Sequence, residues 1–167
     1  MQSTFKYTGP KLLAREIGLA FSVPKDCDLL RWKRRAERSV YPGDHIGRPL
    51  GQTPAFALNP EEFPPTWPWA ANNSPMGCND FRSTKRHIDW AAISHPAGPG
   101  VWITSDGSQH LRAMVESDRI CVHVNDWYGG THCGLGEWTS NYGEGASLEA
   151  GQILHSTARL RLARPGL

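Results

Sequence analysis

Several features are missing from this sequence of 167 residues, and each absence narrows what the chain can be. No run of about 18 apolar residues occurs, so we expect no membrane-spanning helix. The first residues, MQSTFKYTGP, lack the apolar core of a signal peptide, so we expect a soluble chain. The compartment stays open, and an extracellular or periplasmic location is slightly favoured.

A large excess of charge of one sign is also absent. The 18 Lys and Arg residues and the 16 Asp and Glu residues are interspersed and leave a net charge of +2. The one basic cluster is RWKRR at residues 31–35. We interpret it as a strand with a solvated basic face and an apolar underside, in preference to a nucleic-acid patch. The sequence therefore predicts neither a nucleic-acid partner nor a membrane partner.

Cysteine and histidine spacings typical of metal-binding motifs are absent as well. The four cysteines, at positions 27, 78, 121 and 133, form no CxxC pair, and His132 and Cys133 point to opposite sides if extended. We predict no cofactor and no transition-metal site. A calcium site with oxygen ligands is kept as an alternative, but the sequence contains no Asp-rich calcium loop to support it. Cys121 is expected to be a small buried or half-buried thiol. Cys78 and Cys133 could form a disulfide, but the sequence alone cannot pair them.

Helical periodicity is absent too, and strand periodicity takes its place. No segment of about twelve residues sustains a 3.6-residue period, and 13 prolines and 17 glycines argue against helices. In contrast, REIGLAFSV, RICVHVN and ILHSTARLRL alternate with period two, and RHIDWAAI, GVWIT and HLRAMV are shorter strands of the same kind. The side chains predicted to point inward are Ile17, Leu19, Phe21, Val23, Ile120, Val122, Val124, Leu154, Ala158, Leu160 and Leu162. This pattern predicts an all-β fold, an antiparallel β-sandwich with long irregular loops.

The length predicts one domain over residues 1–167, large enough to bury about 70% of the surface that its unfolded chain exposes. Residues from about 41 to 80 interrupt the strands as a long loop rich in proline and tryptophan, including PPTWPW. Loops of this length are usually functional or fixed against a neighbouring element.

Three stretches resemble a known family. They are RWKRRAERSVYPGDHIGRPLG, then NDFRSTKRHIDWAAI with GVWITSDGSQHLRA, and finally GLGEWTSNYGEGASLEAGQILHSTARLRL. In this order and spacing they are similar to the C-terminal β-sandwich of glycoside hydrolase family 2 β-galactosidases, the small-chain type of domain. The resemblance covers Arg15 to Leu162 and only the second half of that domain. It implies a fragment of a supersandwich similar in fold to galactose mutarotases.

The same resemblance implies that the chain is not itself an enzyme. In the family, two glutamates of a TIM barrel perform hydrolysis, and a barrel of about 250 residues does not fit in this chain. Trp138 takes the place of a family tryptophan that reaches toward the barrel's active site and stacks on sugar. The acidic pair that commonly precedes that tryptophan is reduced here to Glu137.

The stretch NDWYGGTHCGLGEW, with the residues just after it, is the main candidate for a ligand site. The C–H face of a pyranose packs on an aromatic ring, and its hydroxyls need planar polar partners. The candidate ligand-binding residues are the rings Trp127, Tyr128, Trp138 and Tyr142 and the polar side chains Asn125, Asp126, Glu137 and Asn141. In the alternative interpretation, one or two of these rings plug the end of the sandwich.

Further candidates lie outside that loop. Trp67 and Trp69 point to the same side of an extended chain, about 6–7 Å apart, and could form a platform for a glycan or a hydrophobic clip that fixes the loop. Arg82 is a weaker ligand candidate. Gln109 and His110 follow the turn Asp106-Gly107, and surface turn residues are the default expectation for them.

The predicted function is a non-catalytic carbohydrate-binding module that binds a β-linked glycan or galactoside by aromatic stacking and is related to a family 2 glycosidase. The alternative is a structural accessory half-domain of a β-galactosidase, which lends Trp138 to the active site of a catalytic domain. A small hydrolase or lyase ranks last, because no GxSxG nucleophile elbow occurs and periodicity cannot show two carboxyls held across a cleft.

Overall fold

The computed structural model of the chain describes residues 1–35, 48–57, 68–70, 80–128 and 145–163. In these ranges the chain forms β-strands and one short helical turn, α1 (Asp80–Ser83). The strands are β1 (Gln2–Lys6), β2 (Leu12–Ala14), β3 (Glu16–Pro24), β4 (Leu29–Arg34), β5 (Leu50–Thr53), β6 (Thr84–Lys85), β7 (Ile88–Ser94), β8 (Gly100–Thr104), β9 (His110–Val115), β10 (Arg119–Tyr128), β11 (Ala146–Leu148), β12 (Ile153–Thr157) and β13 (Arg159–Ala163). Across these same ranges, no helix has the length and apolar character needed to cross a membrane.

The strands form two larger sheets and two small pairs. One larger sheet has the order β3-β10-β9-β6 and the other has the order β13-β8-β7-β4-β5, while β1 pairs with β12 and β11 pairs with β2. The pairings in both larger sheets are antiparallel. A single core cluster takes side chains from both of them, as in a β-sandwich. The prediction of an all-β antiparallel fold is confirmed.

Alternation along the central strands determines which side chains form the core. On β10, Ile120, Val122 and Val124 are fully buried, and Val23 of β3 joins them. Cys121 and His123 point to the outward face of the four-stranded sheet and are partly exposed. The period-two pattern in RICVHVN therefore predicted this layer correctly.

The basic cluster at residues 31–35 lies largely on β4, with the apolar underside that was predicted. Leu30 and Trp32 are fully buried, and the exposed Lys33 lies between Trp32 and Arg34. Arg34 departs from the pattern, because it is 7% exposed on the inner side and its Nε donates to the Arg48 carbonyl at 3.0 Å. The indole Nε1 of Trp32 donates to the same carbonyl at 3.0 Å.

One part of the stretch predicted as an irregular loop is a strand. Residues Leu50–Thr53 form β5, which pairs with β4 at the edge of the five-stranded sheet. A Cβ at Gly51 would lie 2.5 Å from a ring carbon of Trp32, so only glycine lets β5 pack this closely on the indole. Four residues are too few for alternation to be visible in sequence, and the pairing with β4 comes from tertiary structure.

Lys85 is a cation inside the sandwich. It pairs with Leu111 of β9 and is fully buried, since that side of the sheet faces the core. Its Nζ lies 4.5 Å from the ring centroid of Trp32 and donates to the Arg82 carbonyl at 2.5 Å. The indole face and the carbonyl dipole thus replace part of the hydration that burial removes.

The stretch ILHSTARLRL was predicted as one strand with its leucines inward, and this prediction was wrong in its second half. The chain changes sheets at Ala158, which is 1% exposed, so β12 pairs with β1 while β13 pairs with β8. Because β13 is an edge strand of the five-stranded sheet, Leu160 is 36% exposed and Leu162 is 81% exposed.

Candidate functional site

Two tryptophans lie side by side on the outward face of the five-stranded sheet. Trp90 is on β7 and Trp102 is on β8, with ring centroids 4.6 Å apart and ring planes inclined by 34°. Ile93 and Ile103 of the same strands are fully buried, so alternation directs both indoles away from the core. Both rings are partly exposed and can offer apolar surface to a ligand.

Planar polar groups accompany these rings. Ala92 pairs with Arg31 on one side and Trp102 on the other, and its small side chain is fully buried between them. The Arg31 Nε donates to Gln52 Oε1 on β5 at 3.1 Å, which orients the guanidinium across the sheet. We refer to the outward side chains of Trp90, Trp102, Arg31 and Gln52 as the tryptophan face.

A shallow depression of about 290 Å³ lies on the tryptophan face, and its lining residues are Arg31, Leu50, Gly51, Gln52 and Trp90. This volume is close to the lower end of the range for small-molecule sites, about 300 Å³. Indole faces beside an amide and a guanidinium suit a ligand with one apolar face and a rim of hydroxyls. The sequence analysis did not predict this site, although Trp90 and Trp102 lie at outward-facing positions of their strands.

The opposite sheet carries a polar cluster built around one carboxylate. Glu16 of β3 accepts from the Arg112 guanidinium at one oxygen, and its other oxygen lies 3.1 Å from His123 Nδ1 and 3.1 Å from Asn125 Nδ2. The side chains of Glu16 and Arg112 are each 18% exposed. Burial acts to raise the pKa of Glu16, but the hydrogen bonds from His123 and Asn125 and the charge of Arg112 outweigh it. The pKa therefore lies below its usual value, and the carboxylate is ionised and hydrogen-bonded to three donors.

We interpret this cluster as a structural network. The carboxylate on β3 is held by groups from β9 and β10, so it connects three strands of the four-stranded sheet. Tyr128 lies opposite Glu16 in the pairing of β10 with β3. Its hydroxyl accepts a hydrogen bond from Thr84 Oγ1 of β6 at 3.3 Å. Every strand of this sheet contributes a polar group to one face. This arrangement favours a structural role, in which the network fixes the register of the strands, over a catalytic role.

Two histidines pack together, the buried His110 and the partly exposed His87. His87 has a left-handed φ of 53°, and its backbone N–H donates to His110 Nδ1 at 3.1 Å. The two rings meet edge to face with centroids 4.6 Å apart. Because His110 Nδ1 accepts this bond, the proton of the neutral ring is on Nε2. Burial, with positive charge on His87 and Arg86 nearby, lowers the pKa of His110 to about 4.

His110 is expected to make the fold sensitive to mild acid. Its pKa falls from 6.5 to about 4 on folding, so the unfolded chain binds its proton first as the pH drops. This contribution to the free energy of unfolding is fully present above pH 6.5 and is lost as the pH falls toward 4, a loss of about 3 kcal/mol. We expect urea unfolding of His110→Gln to show a smaller loss over this range than the wild type. The variant His155→Gln removes an exposed histidine and should keep the full loss; equal losses in wild type and His110→Gln would contradict the assignment.

Two residues predicted to contact sugar are buried in the polar cluster instead. Asn125 is 2% exposed and donates to Glu16, and Tyr128 is 7% exposed. For Asn125 the reason is the hydrogen bond to Glu16, and for Tyr128 it is a bulge: β10 extends past its predicted end, and the register shifts between Asn125 and Trp127. Tyr128 consequently faces Glu16, and neither residue offers a surface to a ligand.

Asp126 and Trp127 remain exposed at the end of β10. The Trp127 ring is 43% exposed, and Asp126 Oδ1 accepts from Gln109 Nε2 at 2.7 Å. Gln109 also donates to the Thr157 carbonyl at 2.7 Å and is 6% exposed. The expectation that Gln109 and His110 are surface turn residues was therefore wrong, because contacts distant in sequence bury them.

Trp69 is a core side chain. It is 1% exposed, and its Nε1 donates to the Asp28 carbonyl at 2.7 Å. Its candidate role at a sugar platform is thereby corrected, since the ring has no free face. Arg82 has a partly exposed side chain, and its carbonyl accepts from Lys85 Nζ.

The remaining candidates lie outside the described residues, and they are Trp67, Glu137, Trp138, Asn141 and Tyr142. Cys78 and Cys133, considered as a disulfide, lie outside them as well. In the part of the chain that the structure describes, Cys27 and Cys121 are free thiols. Over the same part, no three His, Cys, Asp or Glu side chains are grouped so that they could hold a metal ion.

No protein-family model and no curated protein matches this chain. The relationship to family 2 glycosidases therefore stays a prediction from the sequence motifs.

Proposed function

We propose that this protein is a non-catalytic carbohydrate-binding module and that the tryptophan face is its binding surface. The observation that carries this proposal is the pair of partly exposed indoles, Trp90 and Trp102, beside the Arg31–Gln52 hydrogen bond. Sugar rings bind to such surfaces by stacking their C–H faces on indoles while planar side chains take the hydroxyls.

The sheet backbone supports this function by fixing the site. All four side chains of the tryptophan face lie on paired strands, β5, β4, β7 and β8, so little ordering is required when a ligand binds. The depression is shallow and open, which suits a glycan chain lying across a sheet. One or two stacked rings with a few hydrogen bonds supply about 4 kcal/mol, which corresponds to a millimolar dissociation constant.

Replacing Trp102 by alanine should weaken glycan binding by about tenfold or more, or about 1.4 kcal/mol. The ring is partly exposed, so the variant should still unfold cooperatively. The measurement is isothermal titration with soluble β-galactan, β-glucan, β-mannan and poly-β-mannuronate. Trp102→Phe keeps a smaller ring and should fall between the wild type and Trp102→Ala.

The same titrations on Trp127→Ala test the competing surface at the end of β10. Loss of binding in Trp127→Ala with unchanged binding in Trp102→Ala would overturn the proposed location. Absence of binding to every polymer by a folded wild-type chain would overturn the proposed function.

A second candidate is the structural accessory half-domain of a β-galactosidase, favoured by one observation. Leu160 and Leu162 leave apolar surface along the edge strand β13, where a further element of a larger sandwich could pack. On this hypothesis the isolated chain should self-associate or melt without cooperativity. A monodisperse chain with one sharp melting transition would contradict it.

A further inference from the structure

The two indoles of the tryptophan face have arginines on both sides. One row of paired residues crosses the five-stranded sheet from β5 to β13. Its members, in order, are Gln52, Arg31, Ala92, Trp102 and Arg161. In the neighbouring row, Thr104 pairs with Arg159. The side chains of Arg159 and Arg161 are exposed and share the outward parity of Trp102 and Thr104.

In the part of the chain that the structure describes, little negative charge balances these arginines. The carboxylate of Asp89 lies 3.9 Å from Lys33 Nζ and 3.7 Å from Arg35 Nε, so its charge is shared between those two side chains. Within the described ranges, no carboxylate forms an ion pair with Arg31, Arg159 or Arg161.

The geometry of Arg31 suits a planar anion. Its Nε is occupied by Gln52 Oε1, which leaves the terminal nitrogens of the fork to donate elsewhere. A guanidinium binds a carboxylate through two parallel hydrogen bonds. Arg31 and Arg161 are three strand spacings apart, about 14 Å between Cα atoms, with the Trp102 ring in the interval. A ligand that reaches both cations must therefore cross the indoles.

We propose that the ligand of the tryptophan face is an acidic glycan, specifically a β-linked polyuronide whose carboxylates bind Arg31 and Arg161 while a sugar ring stacks on the indoles. This inference rests on the proposed function and adds the substrate class to it. Arg159 supplies further positive charge beside the same row.

Basic and aromatic side chains on a sheet also bind single-stranded nucleic acid. Trp90 and Trp102 pack against each other at 4.6 Å and form one apolar surface that suits a base as well as a sugar ring, so the overall charge has to separate the two ligands. The net charge of the whole chain is only +2, which provides little general attraction for a phosphate backbone.

The test compares two polymers with the same linkage, β-mannan and poly-β-mannuronate, which differ in the group at C6. Isothermal titration of the full chain should show at least about tenfold tighter binding to the polyuronide. This preference should be largely lost in Arg31→Gln and in Arg161→Gln and should weaken with added salt. Arg119→Gln removes an exposed arginine of the other sheet with the same change in net charge, and it should keep the preference.

The alternative outcomes separate the two proposals. Equal binding of both polymers, with loss of both in Trp102→Ala, would overturn the acidic ligand and leave the carbohydrate-binding function intact. Tighter binding of a sulfated galactan than of the polyuronide would overturn the carboxylate as the recognised group. Tighter binding of oligothymidylate than of any glycan would overturn both proposals, as would no binding by the folded chain.

Discussion

Replacing Trp32 by alanine is expected to lower the free energy of unfolding by about 3–5 kcal/mol, a large part of the 5–15 kcal/mol typical of a domain. The fully buried indole fills the space between the sheets and packs under Gly51 of the edge strand. Its removal also takes the ring from beneath Lys85 Nζ and leaves a buried cation with less stabilisation. Urea unfolding at neutral pH measures the change.

Two variants make this prediction specific. Trp127→Ala removes a ring that is 43% exposed and should cost less than about 1 kcal/mol. Trp32→Phe keeps an aromatic ring beneath Lys85 and remains measurable if Trp32→Ala fails to fold. Equal losses in Trp32→Ala and Trp127→Ala would show that Trp32 is not the central core residue.

The polar cluster should show the second large effect. Replacing Glu16 by alanine leaves the Arg112 guanidinium without its carboxylate and removes an acceptor from His123 and Asn125. Because Glu16 and Arg112 are each only 18% exposed, we expect a loss of about 2–3 kcal/mol at pH 7. Glu16→Gln keeps part of the hydrogen bonding and should lose less. Glu116→Ala breaks the exposed pair with Arg119 and should cost little.

The same cluster predicts the direction of a pH effect. The folded pKa of Glu16 lies below the ordinary 4.5, so its ionisation stabilises the fold fully above that pH. This contribution is lost as the pH falls from 4.5 through the lowered pKa. The stability difference between the wild type and Glu16→Ala should therefore shrink in that range. A difference that stays constant below pH 4.5 would contradict the assignment.

Local alternation was sufficient to predict the central strands of the fold. Strands such as β3, β8, β9 and β10 have five or more residues with one face toward the core, so their pattern is visible in the sequence. Strands β5 and β6 have four and two residues, and only pairing with a neighbour defines them. The division of ILHSTARLRL between two sheets depends on which strands are adjacent, and a local pattern cannot show that.

The candidate site was harder to predict for similar reasons. Trp90 and Trp102 occupy the outward positions beside Ile93 and Ile103, so their exposure follows from alternation alone. Their contact depends on the β7–β8 register and on the small Ala92 beside Trp102, which appear only in the folded sheet. The bulge after Asn125 had no signal in the sequence, and it placed Tyr128, a predicted sugar contact, opposite Glu16.

Binding of a glycan to the tryptophan face would be visible at its two indoles. The most direct measurement records the indole N–H resonances of the ¹⁵N-labelled chain by NMR, assigned by Trp90→Phe and Trp102→Phe, during titration with poly-β-mannuronate and β-mannan oligosaccharides. We expect saturable shifts at Trp90 and Trp102, with the buried Trp32 and Trp69 unchanged. Shifts confined to other tryptophans, or no shifts from a folded chain, would contradict the proposed binding.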